Sequence, residues 1–213
     1  MTRLRDQSFR RSPRKGFRRQ FGFDRSGPPP RQTRPGQPLR PWTIPNLVGF
    51  LRLAALPVFL VLAFNSEDGR DPAAAAIFVA VAVGDYLDGF LARATGQYSR
   101  MGALLDPIVD RLTILSGAAV CWNFELLPRW ALALLAIREV VTLVLAQVAL
   151  RRGNELEINW LGRMAVWPTM AAIFFAMISS SVVWSVMLVI GVILAILGTA
   201  AYVRTGMRRL APT

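Results

Sequence analysis

Four aspartates, Asp85, Asp88, Asp106 and Asp110, stand in stretches that are otherwise apolar. On helices, three residues span about 4.5 Å of axis and four residues about 6 Å, so Asp85 shares a face with Asp88, and Asp106 with Asp110. Carboxylates in this pattern can collect hard divalent cations such as Mg²⁺, Mn²⁺ or Ca²⁺, and one of them can accept a proton from a hydroxyl. Four like charges in one place cannot all stay ionised without counter-charge. A pair of divalent ions would balance them and could also neutralise a diphosphate. The structural alternative is that each aspartate pairs with Arg52, Arg93, Arg111 or Arg138 as a lock. Gly89 follows Asp88 directly, where the lack of a Cβ lets a ligand or a neighbouring backbone come close. Gly84, Gly96 and Gly102 could serve similarly or support helix packing.

Ionised groups inside apolar runs are costly and mark function. Six such runs, at roughly 47–64, 73–92, 103–124, 130–150, 160–178 and 182–203, each approach the ~20 residues that cross a bilayer as a helix. Short connections favour antiparallel neighbours. The expected fold is therefore all-α, an integral membrane bundle of six transmembrane helices preceded by a disordered basic tail. Arg93, Arg100, Arg151, Arg152, Arg204, Arg208 and Arg209 fall on the same side as the tail, which predicts cytoplasmic termini in a cytoplasmic (inner) membrane. The second run then enters with its aspartates near the cytoplasmic end, and the third leaves with its pair in its first turns. All four are expected at one depth, just inside the cytoplasmic face. Pro107 is placed near the start of the third run, where a missing N–H costs least. Trp42, Trp130, Trp160 and Trp184 read as interfacial anchors.

Composition supports this reading. Of 213 residues, 54% are hydrophobic and 18% charged, fewer charges than a soluble domain carries. No histidine and a single cysteine, Cys121, exclude a zinc cage, a Ser-His triad and a disulfide framework. The net charge of +12 is uneven: residues 1–46 hold twelve basic residues against Asp6 and Asp24. Three regions are expected: an Arg/Pro-rich cytoplasmic tail at 1–41, a membrane domain at 42–205 and a short cytoplasmic C-terminus at 206–213. The tail shows no apolar periodicity and reads as a disordered, solvated basic arm; its mixture of Phe and Arg could also adhere to anionic lipid headgroups and resembles an RNA-binding tail, with no nucleic-acid role assigned. It does not read as a signal peptide.

The run Asp85-Tyr-Leu-Asp88-Gly89-Phe-Leu-Ala92-Arg93, continuing to Gly102, Asp106 and Asp110, resembles the CDP-alcohol phosphotransferase signature D-x2-D-G-x2-A-R-x8-G-x3-D-x3-D, with every specified position filled. The resemblance implies a membrane enzyme of phospholipid synthesis that transfers a substituted phosphate from a CDP-linked donor to an alcohol and releases CMP. It implies two divalent cations, Mg²⁺ or Mn²⁺, on Asp85, Asp88, Asp106 and Asp110. Asp110 would be the general base, Gly89 and Gly102 would lie where the CDP group approaches the backbone, and Asp88 and Arg93 would meet its diphosphate. It also implies a homodimer.

Thr43-Ile44-Pro45-Asn46 with Arg52 resembles the bacterial phosphatidylglycerophosphate and cardiolipin synthase members of that family, and the Arg138-Glu139 pair is similar to the R-E pair of the phosphatidylglycerophosphate synthases. CDP-diacylglycerol is then the expected donor and glycerol 3-phosphate the leading acceptor. The family's G-K-x-K-T pattern reads Gly162-Arg163-Met164-Ala165-Val166 here. One basic position is lost, which keeps phosphatidylglycerol, and less so inositol phosphate, in play as acceptor. Arg52, Arg138, Arg163, Arg151 and Arg152 are the candidate acceptor-binding residues. A cation or proton transporter is the alternative of another class, although a pathway needs acidic groups at several depths.

Overall fold

The structure, a computed structural model, describes residues 38–151 and 160–210, excluding the side chains of 145–151, 160–163 and 202–210. The tail through residue 37 and Arg152 lie outside the described residues, as do the side chains of Arg151 and Arg163. Among the described residues there are six helices and no strand: α1 Ile44–Asn65, α2 Pro72–Thr95, α3 Arg100–Asn123, α4 Arg129–Arg151, α5 Trp160–Ala176 and α6 Val182–Leu210.

Capping residues explain where the helices begin. The Thr43 hydroxyl accepts the Asn46 N–H at 3.4 Å, which starts α1 ahead of the expected boundary, with Pro45 in its first turn. Asp71 accepts the Ala73 N–H at 2.7 Å and precedes Pro72, the favoured arrangement of cap and first residue. Ser99 caps α3 by accepting the Gly102 N–H at 2.9 Å. Because α3 starts at Arg100, Pro107 sits in its interior and cannot donate to the Ala103 carbonyl. Helix α6 runs past the expected end at 203 to Leu210, through Gly206, with the good helix formers Arg204, Met207, Arg208 and Arg209 around it and no proline before Pro212.

Three helical segments are long and apolar enough to cross a membrane: Ile44–Asn65, Pro72–Thr95 and Val182–Ala201. Helix α5 adds a shorter apolar stretch, Met164–Ala176. Helices α3 and α4 carry ionisable residues within them: Asp106, Asp110 and Arg111, and Arg138 and Glu139. The chain is thus an all-helical membrane protein, with three spans evident from length and composition.

By its internal contacts the chain divides into two compact units. The first comprises Met1–Leu51 and Gly84–Asp106, the second Arg52–Val83 and Pro107–Thr213. The second holds a core in which Phe59, Phe78, Leu132, Ile173, Met177 and Leu188 are fully buried. The Phe59 and Phe78 rings lie 5.5 Å apart. Close packing depends on small residues: a Cβ on Gly117 would fall 2.6 Å from Ile173 and 2.7 Å from Phe78, and one on Gly191 would fall 2.3 Å from the Thr169 hydroxyl. Val58 and Val61 of α1 and Val186, Ile190 and Ile193 of α6 stay exposed, as suits surfaces that face lipid.

Candidate active site

In the first unit, the start of α1 and the loop before α3 meet through a buried polar node. Asn46 donates from Nδ2 to the carbonyls of Arg40 at 3.1 Å and Pro41 at 3.0 Å. Its Oδ1 accepts the Ser99 hydroxyl at 2.8 Å, and Ser99 in turn caps α3. Both side chains are buried, so each bond satisfies a group whose isolation would cost about 1–3 kcal/mol. Gly102 is required by this node, because a Cβ there would sit 2.8 Å from Asn46 Oδ1. Met101 N–H donates to the Leu39 carbonyl at 3.1 Å, and Ile44 N–H donates to Gln97 Oε1 at 3.1 Å. Residues 39–46 are thereby strapped to the 97–102 segment that leads into Asp106.

The motif residues of this unit lie on α2 and the first turns of α3. Asp88 is buried, Asp106 half-buried and Asp85 exposed. Gly49 of α1 admits α3 closely: a Cβ would fall 2.8 Å from Leu105 and 4.0 Å from Asp106 Oδ1. The Arg93 guanidinium folds back one turn over Gly89, with NH1 3.2 Å from where a Cβ would be. A methyl group at position 89 would therefore displace the flexible end of Arg93 and no backbone.

In the second unit, Arg52 of α1 is buried. Its Nε donates to the Val81 carbonyl of α2 at 2.8 Å, and its NH2 donates to Asp110 Oδ1 of α3 at 2.7 Å. The sequence offered several partners for Arg52, and the structure pairs it with Asp110. A second charged group surrounds Glu139, which is 2% exposed. Arg138 NH1 donates to Glu139 Oε1, Arg138 Nε donates to Thr199 Oγ1 at 3.3 Å, and Arg111 Nε lies 3.8 Å from Glu139 Oε2. That Arg111 nitrogen is buried and makes no hydrogen bond. Arg138, Glu139, Ala165 and Thr169 line one small pocket. The lost basic position of the sequence pattern, Ala165, is thus a buried apolar contact beside the Arg138–Glu139 pair.

Sequence reasoning did not foresee Asn46–Ser99, Arg111–Glu139 or Thr199 as partners. Ser99 carried a signal as a serine three residues before Gly102, where it caps a helix. The others depend on tertiary packing and left no trace in spacing.

The donor set suits a hard divalent ion, since the four motif side chains offer oxygens only and Cys121 is buried in the core of the second unit. Among the described residues, no three acidic or cysteine side chains are gathered closely enough to hold a metal.

Comparisons with known proteins agree with the motif. The family model for CDP-alcohol phosphatidyltransferase matches residues 42–197. A cardiolipin synthase (CMP-forming) from Streptomyces coelicolor is 38% identical over 167 residues, covering 75% of this chain and 77% of the relative. A CDP-diacylglycerol–glycerol-3-phosphate 3-phosphatidyltransferase from Bacillus subtilis is 26% identical over 144 residues, 62% of this chain and 75% of the relative. One of the same name from Cereibacter sphaeroides is 31% identical over 134 residues, 61% of this chain and 59% of the relative. With the motif intact on α2 and α3 and the family model matching most of the chain, this chain belongs to the CDP-alcohol phosphatidyltransferase family and is a membrane transferase of phospholipid synthesis.

Proposed function

We propose that the chain transfers the phosphatidyl group of CDP-diacylglycerol to a hydroxyl of a glycerol phosphate headgroup and releases CMP. The observation that carries this reading is the complete aspartate motif on α2 and α3, inside the family match. Asp85, Asp88, Asp106 and Asp110 would hold two divalent cations, Mg²⁺ or Mn²⁺, and such ions would neutralise the donor diphosphate. Asp110 accepts the proton of the attacking hydroxyl. The hydroxyl oxygen forms a bond to the lipid-linked phosphorus, the phosphoanhydride bond breaks, and CMP leaves with its electron pair. Arg93 steadies the diphosphate, while Gly89 and Gly102 border the cytidylyl group. All six helices cross the bilayer in this reading, the buried charges of α3 and α4 being paired or used. The termini and the site face the cytoplasm, and the protein works as a homodimer.

The acceptor divides two readings. Arg138-Glu139 favours glycerol 3-phosphate, and two of the relatives above carry that acceptor in their names. Phosphatidylglycerol is favoured by Ala165 and by the higher identity and wider coverage of the Streptomyces cardiolipin synthase. Its phosphodiester carries one negative charge where the phosphomonoester of glycerol 3-phosphate carries nearly two, so a site missing one cation suits it. Arg138, Arg163, Arg151 and Arg152 would bind the acceptor phosphate in either case.

Mass spectrometry of products tests both readings. Purified protein receives CDP-diacylglycerol, Mg²⁺ or Mn²⁺, and in parallel glycerol 3-phosphate, phosphatidylglycerol or inositol 1-phosphate. Phosphatidylglycerophosphate supports the first reading. Cardiolipin without phosphatidylglycerophosphate replaces it with the second, and no CMP with any acceptor refutes the enzyme reading.

A further inference from the structure

We propose that Arg52 is a positioning residue: from α1 it fastens the Asp110 carboxylate to the backbone of α2 and so fixes the direction in which Asp110 meets the acceptor hydroxyl. This rests on Asp110 being the general base, as proposed above. Arg52 makes two short contacts to two different helices, 2.8 Å to the Val81 carbonyl and 2.7 Å to Asp110 Oδ1. A guanidinium is a rigid planar fork. With Nε on the Val81 carbonyl, the same planar group brings NH2 to Asp110 Oδ1. Val81 is four residues before Asp85 on α2, so the fastening ties the proton acceptor of α3 to the helix that carries the first two aspartates.

Burial separates positioning from a plain structural lock. Arg52 is sealed, with its side chain 4% exposed, whereas the Asp110 side chain keeps 42% of its surface. A lock would hide both partners. Here the cation is hidden and the acid is presented. The sealed guanidinium is also poorly placed to bind an acceptor phosphate, so its role runs through Asp110. A displacement of about 1 Å at a reacting group can cost roughly a hundredfold in rate, which makes the direction of one carboxylate worth fixing.

The test compares Arg52→Lys, Arg52→Gln and Asp110→Asn in the full-length protein. CMP release gives kcat and KM for CDP-diacylglycerol and acceptor, and detergent melting curves are recorded for each variant. Lysine keeps the charge but not the fork; glutamine keeps a donor without charge. The expected result is a kcat at least about tenfold lower in whichever Arg52 variant melts within a few degrees of wild type, with both KM values within about twofold. An Arg52 variant with wild-type kcat beside an inactive Asp110→Asn overturns the positioning role and leaves Asp110 as base. A loss confined to acceptor KM overturns it in favour of phosphate binding, and failure of both Arg52 variants to fold overturns it in favour of a structural lock. Wild-type activity in Asp110→Asn refutes the underlying reading.

Discussion

Two charged groups in the second unit join arginine to a carboxylate in opposite senses. At Arg52–Asp110 the cation is sealed and the acid is open, with exposures of 4% and 42%. At Glu139 the acid is sealed at 3%, while Arg111 and Arg138 keep 20% and 15%. A buried partner acts as an orienting post, and the more open partner is the one a ligand can reach. In the reaction proposed above, the first arrangement would present a proton acceptor and the second would present positive charge to an anion, the two things that transfer to a phosphate-bearing alcohol requires.

The comparison breaks most sharply at Asp110. Asp110→Asn should lower kcat about a thousandfold, roughly 4 kcal/mol of barrier, with donor binding largely kept; CMP release against CDP-diacylglycerol titrations checks both. Next is Glu139→Gln, which removes the buried counter-charge of two half-buried guanidinia. Breaking a buried ion pair costs about 3–5 kcal/mol, so detergent melting should fall by roughly 5–15 °C, with acceptor KM raised before donor KM. Thr199→Val removes only the hydroxyl that receives Arg138 Nε, a loss of about 1 kcal/mol. It should raise acceptor KM no more than about fivefold and leave kcat unchanged. Deleting residues 1–37 should change kcat by less than about twofold; a deletion reaching Pro41 should do more, because the Leu39, Arg40 and Pro41 carbonyls hold Met101 and Asn46.

Much of this molecule is legible in its residues. The six apolar runs and the helices coincide to within a few residues at most boundaries, since length and hydrophobicity fix where a membrane chain can be helical. The aspartate motif is legible because its spacing is helical. Partner choice is not. The bond from Arg52 to Asp110 joins residues 58 apart in the chain and depends on tertiary packing that no spacing announces. At Gly102 a Cβ would also strike the side-chain oxygen of Asn46, a close approach within the fold that the motif spacing does not reveal. Arg111 stood among the possible aspartate locks and instead faces Glu139. Length and composition give three spans among the described residues, and α3 and α4 interrupt their apolar runs with Asp106, Asp110 and Arg111, and with Arg138 and Glu139.

The central claim is that oxygen ligands on α2 and α3 work through divalent cations to release CMP. It is tested most directly by following CMP formation from CDP-diacylglycerol with purified protein and acceptor while free Mg²⁺ or Mn²⁺ is set with a chelator. The account predicts no CMP under EDTA, full recovery when either metal is returned, and a much weaker response in Asp88→Asn. CMP release that continues undiminished under EDTA would contradict it.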